Sequence, residues 1–308
     1  MLDLGIVIVS YNTRDLLRAC LRSVYASQGD FAFAVCVVDN DSTDGSAEMV
    51  ATEFPQAKLI ANAENLGYPA ANNQGLRAFG FTESPPSPDG TETPRFALLL
   101  NSDTEVPSDG LEMMLDFLSA RSEAGAAGPK LIRPDGSLDL ACRRSFPTPE
   151  ISFYRMVGLS RLFPDSPRFG RYNLTYCNPD EVIEVDSVVG AFMLVRGEAI
   201  RDTGLMDESF FMYGEDLDWA YRMKAAGWKI YYNPAVTVFH VKKASTRQNP
   251  RAQVEFYRAM EIFYRKHFAD KTPWYVHWPI IGAISTRLKL EQLRIALSSK
   301  GNREEIAP

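Results

Sequence analysis

The chain is short of the residues that build metal clusters and disulfide frameworks. Its 308 residues include four cysteines (Cys20, Cys36, Cys142, Cys177) without paired spacing and three histidines (His240, His267, His277). A structural zinc site is therefore not expected, and the thiols read as buried and reduced, as in a cytosolic protein. Long apolar runs are missing too, so no segment reads as a membrane span. Met1-Leu2-Asp3-Leu4 is acidic where an export signal is basic, and the apolar run behind it breaks at Ser10-Tyr11-Asn12. Export is not expected. No internal repeat is evident, and no G-x-G-x-x-G follows the first strand-like run, which argues against a dinucleotide oxidoreductase. Basic charge is scarce except at the end. Formal net charge is −6, but residues 241–308 hold 13 Lys/Arg against six acids, leaving the preceding 240 residues at −13. An acidic body of this kind is unsuited to general nucleic-acid binding. Apolar material is plentiful: 45% of residues are hydrophobic and 11% aromatic, enough for one large domain or two small ones.

The first half alternates strand and helix signals. Strands are expected at Leu4–Val9, Ala34–Val38, Lys58–Ala61 and Phe96–Leu100. Helices are expected at Asp15–Ala26, from a cap at Asp44 to about Glu53, and at Pro69–Phe79. Such alternation implies a mostly parallel sheet covered on both faces. Ser84–Pro94 has the composition of a surface loop. A helix at Asp109–Ala120 and a strand at Ala127–Ile132 follow. The pattern fades from about Arg133 to Asp180, a Pro-, Arg- and aromatic-rich stretch. It returns with strand signals in Glu184–Arg196, a helix at Asp216–Ala226 and a strand at Lys229–Tyr232; beyond His240 the chain turns basic and helical.

Polar residues stand just past the strand ends: Ser10-Tyr11-Asn12, Asp39-Asn40 and Asn101-Ser102-Asp103. In open α/β sheets that edge binds ligands. Turns and caps use Asp and Asn as well, but three such groups on one edge favour a ligand. The segments IVIVSYN, VVDNDSTDGS, NLGYPAANNQGLR and LLLNSDTEV resemble the nucleotide-sugar half of a family 2 glycosyltransferase. The stretch GAFMLVRGEAIRDTGLMDESFFMYGEDLDWAYRMKAAGWKIYYNPAVTVFH resembles its acceptor half. The likeness spans about residues 3–245 and is nearest to bacterial rhamnosyltransferase-like enzymes of surface polysaccharide assembly.

That resemblance implies a GT-A fold over residues 1–245, Rossmann-like with a central sheet flanked by helices. Its donor half would span about 1–132, its acceptor half about 184–245, and a basic helical extension 246–308. It also implies a nucleotide-diphosphate sugar donor and a divalent cation, Mg²⁺ or Mn²⁺. Asp39 would accept the N3–H of uracil or thymine; cytosine lacks that donor, and guanine is disfavoured without being excluded. The alternative is that Asp39 only caps its loop. Asn65, Gly67 and Asn72, with Asn73 and Gly75 nearby, would line the donor pocket or serve as ordinary helix caps. The family commonly carries Asp-x-Asp after the fourth strand, where this chain has Asn101-Ser102-Asp103. Asp103 keeps a carboxylate for a hard cation, and donor diphosphate oxygens must complete the site. His240 stands where such enzymes often supply a second metal ligand, and its imidazole suits Mn²⁺ better than Mg²⁺. The alternative is a structural histidine.

By the same resemblance, Asp216 of Gly214-Glu215-Asp216 is the general base of an inverting transfer, with Glu215 as its acidic neighbour. A plain helix cap is the competing reading. Gly190 and Ala191 would lie beneath the acceptor, with Tyr213 and Trp219 as cleft walls and Phe211 in the core. In the tail, Trp, Tyr and Ile of residues 274–286 adjoin Arg287, Lys289 and Arg294. They suit a segment lying on an anionic membrane, or an arm packed on the catalytic domain or on a second subunit of a homodimer. The expectation is an inverting, metal-assisted transferase at the cytoplasmic face of the plasma membrane. It would move rhamnose from dTDP-rhamnose to a glycan or lipid-linked acceptor. The alternatives are a UDP-hexose or UDP-galactofuranose transferase and a non-catalytic nucleotide-sugar-binding protein.

Overall fold

The computed structural model describes residues 2–82, 93–241 and 252–304. Four strands come first: β1 (Leu4–Ser10), β2 (Phe33–Asn40), β3 (Lys58–Asn62) and β4 (Phe96–Asn101). They pair in parallel in the order β3-β2-β1-β4. β1 and β4 are buried almost end to end, as strands covered on both faces must be. Helices α1 (Arg14–Tyr25), α2 (Ser46–Glu53) and α3 (Tyr68–Ala78) make the crossovers. α1 buries Leu17, Cys20, Leu21 and Val24, a spacing of three and four that turns one stripe onto the sheet. Asp44 serves the start of α2 as expected, its Oδ1 accepting from the Ser46 amide and hydroxyl. Of the loop expected at Ser84–Pro94, only Thr93 and Pro94 fall within the described residues.

Beyond β4 the sheet becomes mixed. The next elements are β5 (Thr104–Glu105), α4 (Gly110–Ser119) and β6 (Ala124–Ile132). The stretch of weak pattern forms two short helices, α5 (Pro149–Met156) and α6 (Leu159–Leu162), with 3₁₀ turns at Leu140–Cys142 and Arg171–Asn173. β7 (Ile183–Val185), β8 (Phe192–Arg196), α7 (Gly197–Thr203), α8 (Glu215–Ala225) and β9 (Lys229–His240) follow. β8 lies antiparallel between β4 and β6, while β9 runs parallel to β6 and carries β5 and β7 antiparallel. β9 is longer than the expected Lys229–Tyr232. It continues through Asn233-Pro234-Ala235, where its register on β6 jumps from Pro129↔Asn233 to Lys130↔Thr237. Pro234 cannot donate to a ladder, and an irregularity is where a strand tolerates it.

These directions gather the polar loops. β1, β2 and β4 end on one edge, and β8, antiparallel to β4, begins there. β9 runs with β6 and ends there. The chain winds from β1 outward to β3 and then crosses back to β4, so the order reverses beside β1 and leaves a crevice. The C-terminal helices α9 (Ala252–His267) and α10 (Trp274–Glu304) form a hairpin. α9 packs on α8 through Ala259 and Phe263 against Phe210 and Leu217. Lys242, Lys243, Arg247 and Arg251, part of the basic tail, lie outside the described residues.

Candidate active site

The donor side is built from three loop ends. Asp39, at the tip of β2, is buried; its Oδ1 accepts the Ser42 amide at 2.9 Å, while Oδ2 is buried without a partner among the described residues. Burial is the largest influence on this carboxyl and holds its pKa above the ordinary value. Asn12 has a left-handed backbone, accepts from the Thr43 amide at 2.8 Å, and donates its own amide to Ser42 Oγ at 2.9 Å. Ser10 Oγ meets Thr13 Oγ1 at 3.1 Å, and Thr13 Oγ1 meets Ser102 Oγ at 2.8 Å, joining the ends of β1 and β4. Tyr11 is partly exposed at the rim.

Asp103 and His240 come together because Thr104 pairs with His240 in the β5–β9 ladder. His240 Nε2 lies 3.4 Å from Asp103 Oδ1, and its Nδ1 lies 3.1 Å from Asp139 Oδ2. Burial opposes charge on the ring, but the two carboxylates outweigh it and raise the pKa to about 9. Asp139 orients the imidazole from behind, as carboxylates do for histidines that face a metal. Among the described residues no cluster of three or more His, Cys, Asp or Glu forms a metal cage. Asp103 and His240 still fit a divalent cation as one oxygen and one nitrogen donor, provided the remaining positions are filled by diphosphate oxygens and water.

On the acceptor side, Tyr213 and Gly214 both have left-handed backbones and deliver the first turn of α8. Gly214 tolerates that conformation freely, whereas Tyr213 is held in it against ordinary preference. The turn presents two buried carboxylates. Asp216 Oδ2 accepts from Arg144 Nη2 at 2.7 Å and from the Gly190 amide at 3.0 Å; Oδ1 accepts the Leu217 amide at 2.7 Å. Glu215 Oε2 is buried with no partner among the described residues. Burial first, and then the charge of Asp216, push the Glu215 pKa up to about 8. Tyr68, whose hydroxyl donates to the Gly190 carbonyl at 2.9 Å, stands between the two sides. Its pKa is raised by burial and then by the charges of Glu215, Asp216 and Asp103. Carboxylates from both halves thus act electrostatically on one side chain.

A model described as Glycosyltransferase like family 2 matches residues 3–255. The chain belongs to glycosyltransferase family 2. Similar proteins include an N-acetylglucosaminyl-diphospho-decaprenol L-rhamnosyltransferase of Mycobacterium tuberculosis. It is 27% identical over 291 residues, covering 93% of this chain and 92% of that one. Among solved structures, a mannosyltransferase of Pyrobaculum calidifontis in complex with GDP-Man and Mn²⁺ superposes with a TM-score of 0.55. Its identity is 16%, over 96% of this chain and 75% of that chain. GalNAc-T7 with UDP, GalNAc and Mn²⁺ gives a TM-score of 0.58 at 15% identity, over 95% and 55%. These structural likenesses carry the GT-A fold, and the family makes the chain a glycosyltransferase.

Two expected site residues of this glycosyltransferase, Trp219 and Ala191, lie in the core. Trp219 is fully buried, and its Nε1 donates to the Gly204 carbonyl at 2.9 Å. It fills the core beneath α8 and cannot wall the acceptor cleft. Ala191 also points into the core, and only its carbonyl, accepting the Asn101 amide at 3.0 Å, reaches the strand end. Asn65 Oδ1 is occupied by Asn40 Nδ2 and the Gly67 amide. Asn73 is tied to the backbone of Met206 in both directions. Asn72 is different: its side-chain amide donates to the Tyr68 carbonyl, and its Oδ1 is buried without a partner among the described residues. Gly67 has φ +86°, and a Cβ there would meet the Phe211 carbonyl oxygen at 2.5 Å. Tyr213 packs edge-on against Phe256 of α9, with ring centroids 5.9 Å apart. Three residues with direct roles in this geometry escaped the sequence reading: Tyr68, Asp139 and Arg144. Tyr68 lies inside a quoted motif, but Asp139 and Arg144 fall in the stretch of weak pattern, where the adjacent Arg143-Arg144 pair is a signal that was passed over.

Proposed function

We propose that the chain is an inverting glycosyltransferase taking rhamnose from dTDP-rhamnose to a lipid-linked N-acetylglucosaminyl acceptor on a cell-surface polysaccharide pathway. The observation that carries the reading is that three buried oxygens at the expected donor and acceptor positions, Asp39 Oδ2, Asn72 Oδ1 and Glu215 Oε2, have no partner among the described residues. Buried polar atoms are normally satisfied, and in this reading these three would meet a base, a donor sugar and an acceptor. The likeness to the mycobacterial rhamnosyltransferase supports the choice of sugar and acceptor.

In this reading Asp39 Oδ2 accepts N3–H of thymine while the Ser42 amide fixes its orientation. Asp103 and His240 would hold Mg²⁺ or Mn²⁺, which offsets charge on the departing diphosphate. Asp216 takes the proton of the acceptor hydroxyl as that oxygen bonds to the anomeric carbon and the bond to diphosphate breaks. Arg144 and the Gly190 amide fix the carboxylate in place. Glu215, whose pKa is raised by burial and by the charge of Asp216, would in its protonated form donate a hydrogen bond to the acceptor.

The test incubates the purified chain with a short-chain N-acetylglucosaminyl diphosphate lipid and a panel of dTDP-rhamnose, UDP-glucose, UDP-galactofuranose and GDP-mannose. Mn²⁺, Mg²⁺ or chelator is added, and nucleotide release and product mass are read. The expected outcome is rhamnosyl transfer with Mn²⁺ at least equal to Mg²⁺ and none with chelator. Asp216→Asn should lower kcat by about 10²–10⁴-fold with donor binding retained, and Glu215→Gln, which mimics the protonated acid, by less than about tenfold. A reversed order moves the base role to Glu215. Preference for a UDP donor replaces the sugar, and binding without turnover for every donor makes the chain a binder.

A further inference from the structure

The helical hairpin carries an apolar surface that the described residues leave open. On one side α10 turns Ile281 and Ile284 inward, and His277 Nδ1 meets the Tyr264 hydroxyl of α9 at 3.0 Å. On the other, Trp274 is 75% exposed, Tyr275 63%, Trp278 65%, Leu290 54% and Leu293 59%. At 3.6 residues per turn these five fall within about 160° of the helix circumference. Large aromatic side chains in that state mark a surface made to be covered.

The chemistry around them narrows what covers it. Arg287, Lys289 and Arg294 are exposed on the same helix, while no acid occurs from residue 274 to 290. Glu291 is partly buried and turned to Arg294 at 3.7 Å. No described helix is long and apolar enough to cross a membrane, and Pro279 interrupts the aromatic end. Indole and phenol rings beside basic side chains, on a helix that cannot span, match the boundary between headgroups and acyl chains. Anionic headgroups attract the basic side chains and a neutral surface does not. The hairpin also returns toward the site. Val254, Glu255 and Arg258 of α9 share a recess with Gln292 and Ile295 of α10, and neighbouring Phe256 packs on Tyr213 beside the carboxylate pair.

We propose that α10 lies in the headgroup layer of an anionic lipid bilayer. Trp274, Tyr275 and Trp278 insert, and Arg287, Lys289 and Arg294 contact anionic headgroups. This brings the acceptor side of the cleft to the membrane surface, and it holds whichever sugar is transferred.

The test uses the full chain with vesicles of phosphatidylcholine alone or with 30 mol% phosphatidylglycerol, read by flotation. Binding is expected to the anionic vesicles, at least tenfold weaker to the neutral ones, and reduced by 0.5 M salt. W274A/W278A is expected to lower partitioning at least tenfold with an unchanged thermal melt, because both side chains are exposed. R287Q/K289Q/R294Q should erase the preference for anionic lipid. Nucleotide release with a water-soluble acceptor analogue should be unaltered in both variants, so loss of docking and loss of transfer are read separately. Equal binding by W274A/W278A and the parent overturns the proposal, as does absence of binding to both vesicles. A dimer that disperses in W274A/W278A and ignores vesicles assigns the face to a second copy and overturns it as well.

Discussion

At the residue scale the site is defined by which oxygens are already occupied. The Ser42 amide holds Asp39 Oδ1 and leaves Oδ2 for a ligand donor. In Asp39→Asn the same amide still requires an oxygen, so the new Nδ2 must take the place of Oδ2 and face N3–H of the base donor to donor. A charged hydrogen bond of about 1.5–3 kcal/mol is lost, so dTDP and UDP should bind roughly 10- to 100-fold more weakly by calorimetry. CDP, whose N3 is an acceptor, should gain relative to both. Glu215 makes a different prediction. Its folded pKa of about 8 lies above the ordinary glutamate value of 4.5, so folding favours the protonated form. The associated stability is complete below about pH 4.5 and is lost as pH rises through 8. Glu215→Gln should therefore match the parent in thermal melts near pH 4.5 and melt increasingly above it as pH rises toward 8.

At the element scale, α3 is the strut that holds donor and acceptor halves at a working separation. Its first residue donates its amide to the Phe211 carbonyl at 2.8 Å and its hydroxyl to Gly190, while Asn73 clasps Met206. Gly67 permits this approach because a side chain would collide with Phe211 and its φ is left-handed. Gly67→Ala should cost about 1–3 kcal/mol from backbone strain alone. It should also weaken donor binding, because displacing α3 moves Asn72 and Tyr68; melts and nucleotide titration report the two effects separately.

At the scale of the whole molecule, one buried carboxylate ties the C-terminal hairpin to the catalytic helix. Asp218 of α8 accepts from His267 Nε2 at 2.7 Å, Lys266 Nζ at 2.8 Å and Arg222 Nε at 2.9 Å. Burial alone would raise its pKa, but His267, Lys266 and Arg222 outweigh that and hold it below the usual carboxylate range. The sign follows: the stability is present above the ordinary aspartate value and is lost as pH falls below about 4. Asp218→Asn should destabilise by about 1–3 kcal/mol, since His267, Lys266 and Arg222 lose a shared buried acceptor. Its melts should also depend less on pH below about 5 than the parent's. Limited proteolysis should then cut first at the hairpin, releasing α9 and α10 while the sheet survives.

The linear chain determined what depends on neighbours in sequence. The apolar runs of β1, β2 and β4, the stripe of α1, the acids past the strand ends and the Glu215-Asp216 turn are local patterns, because burial and handedness set periods of two and 3.6 residues. Only the tertiary structure decided what those acids touch. Arg144 reaches Asp216 across 72 positions, His240 reaches Asp139 across 101, and Tyr68 reaches Gly190 across 122. No local period encodes such pairings. Trp219 shows the same limit in reverse. Three residues from Asp216 it read as part of the cleft, yet packing of α8 on the sheet turned it into the core, because the face a side chain presents is fixed by what the helix lies against.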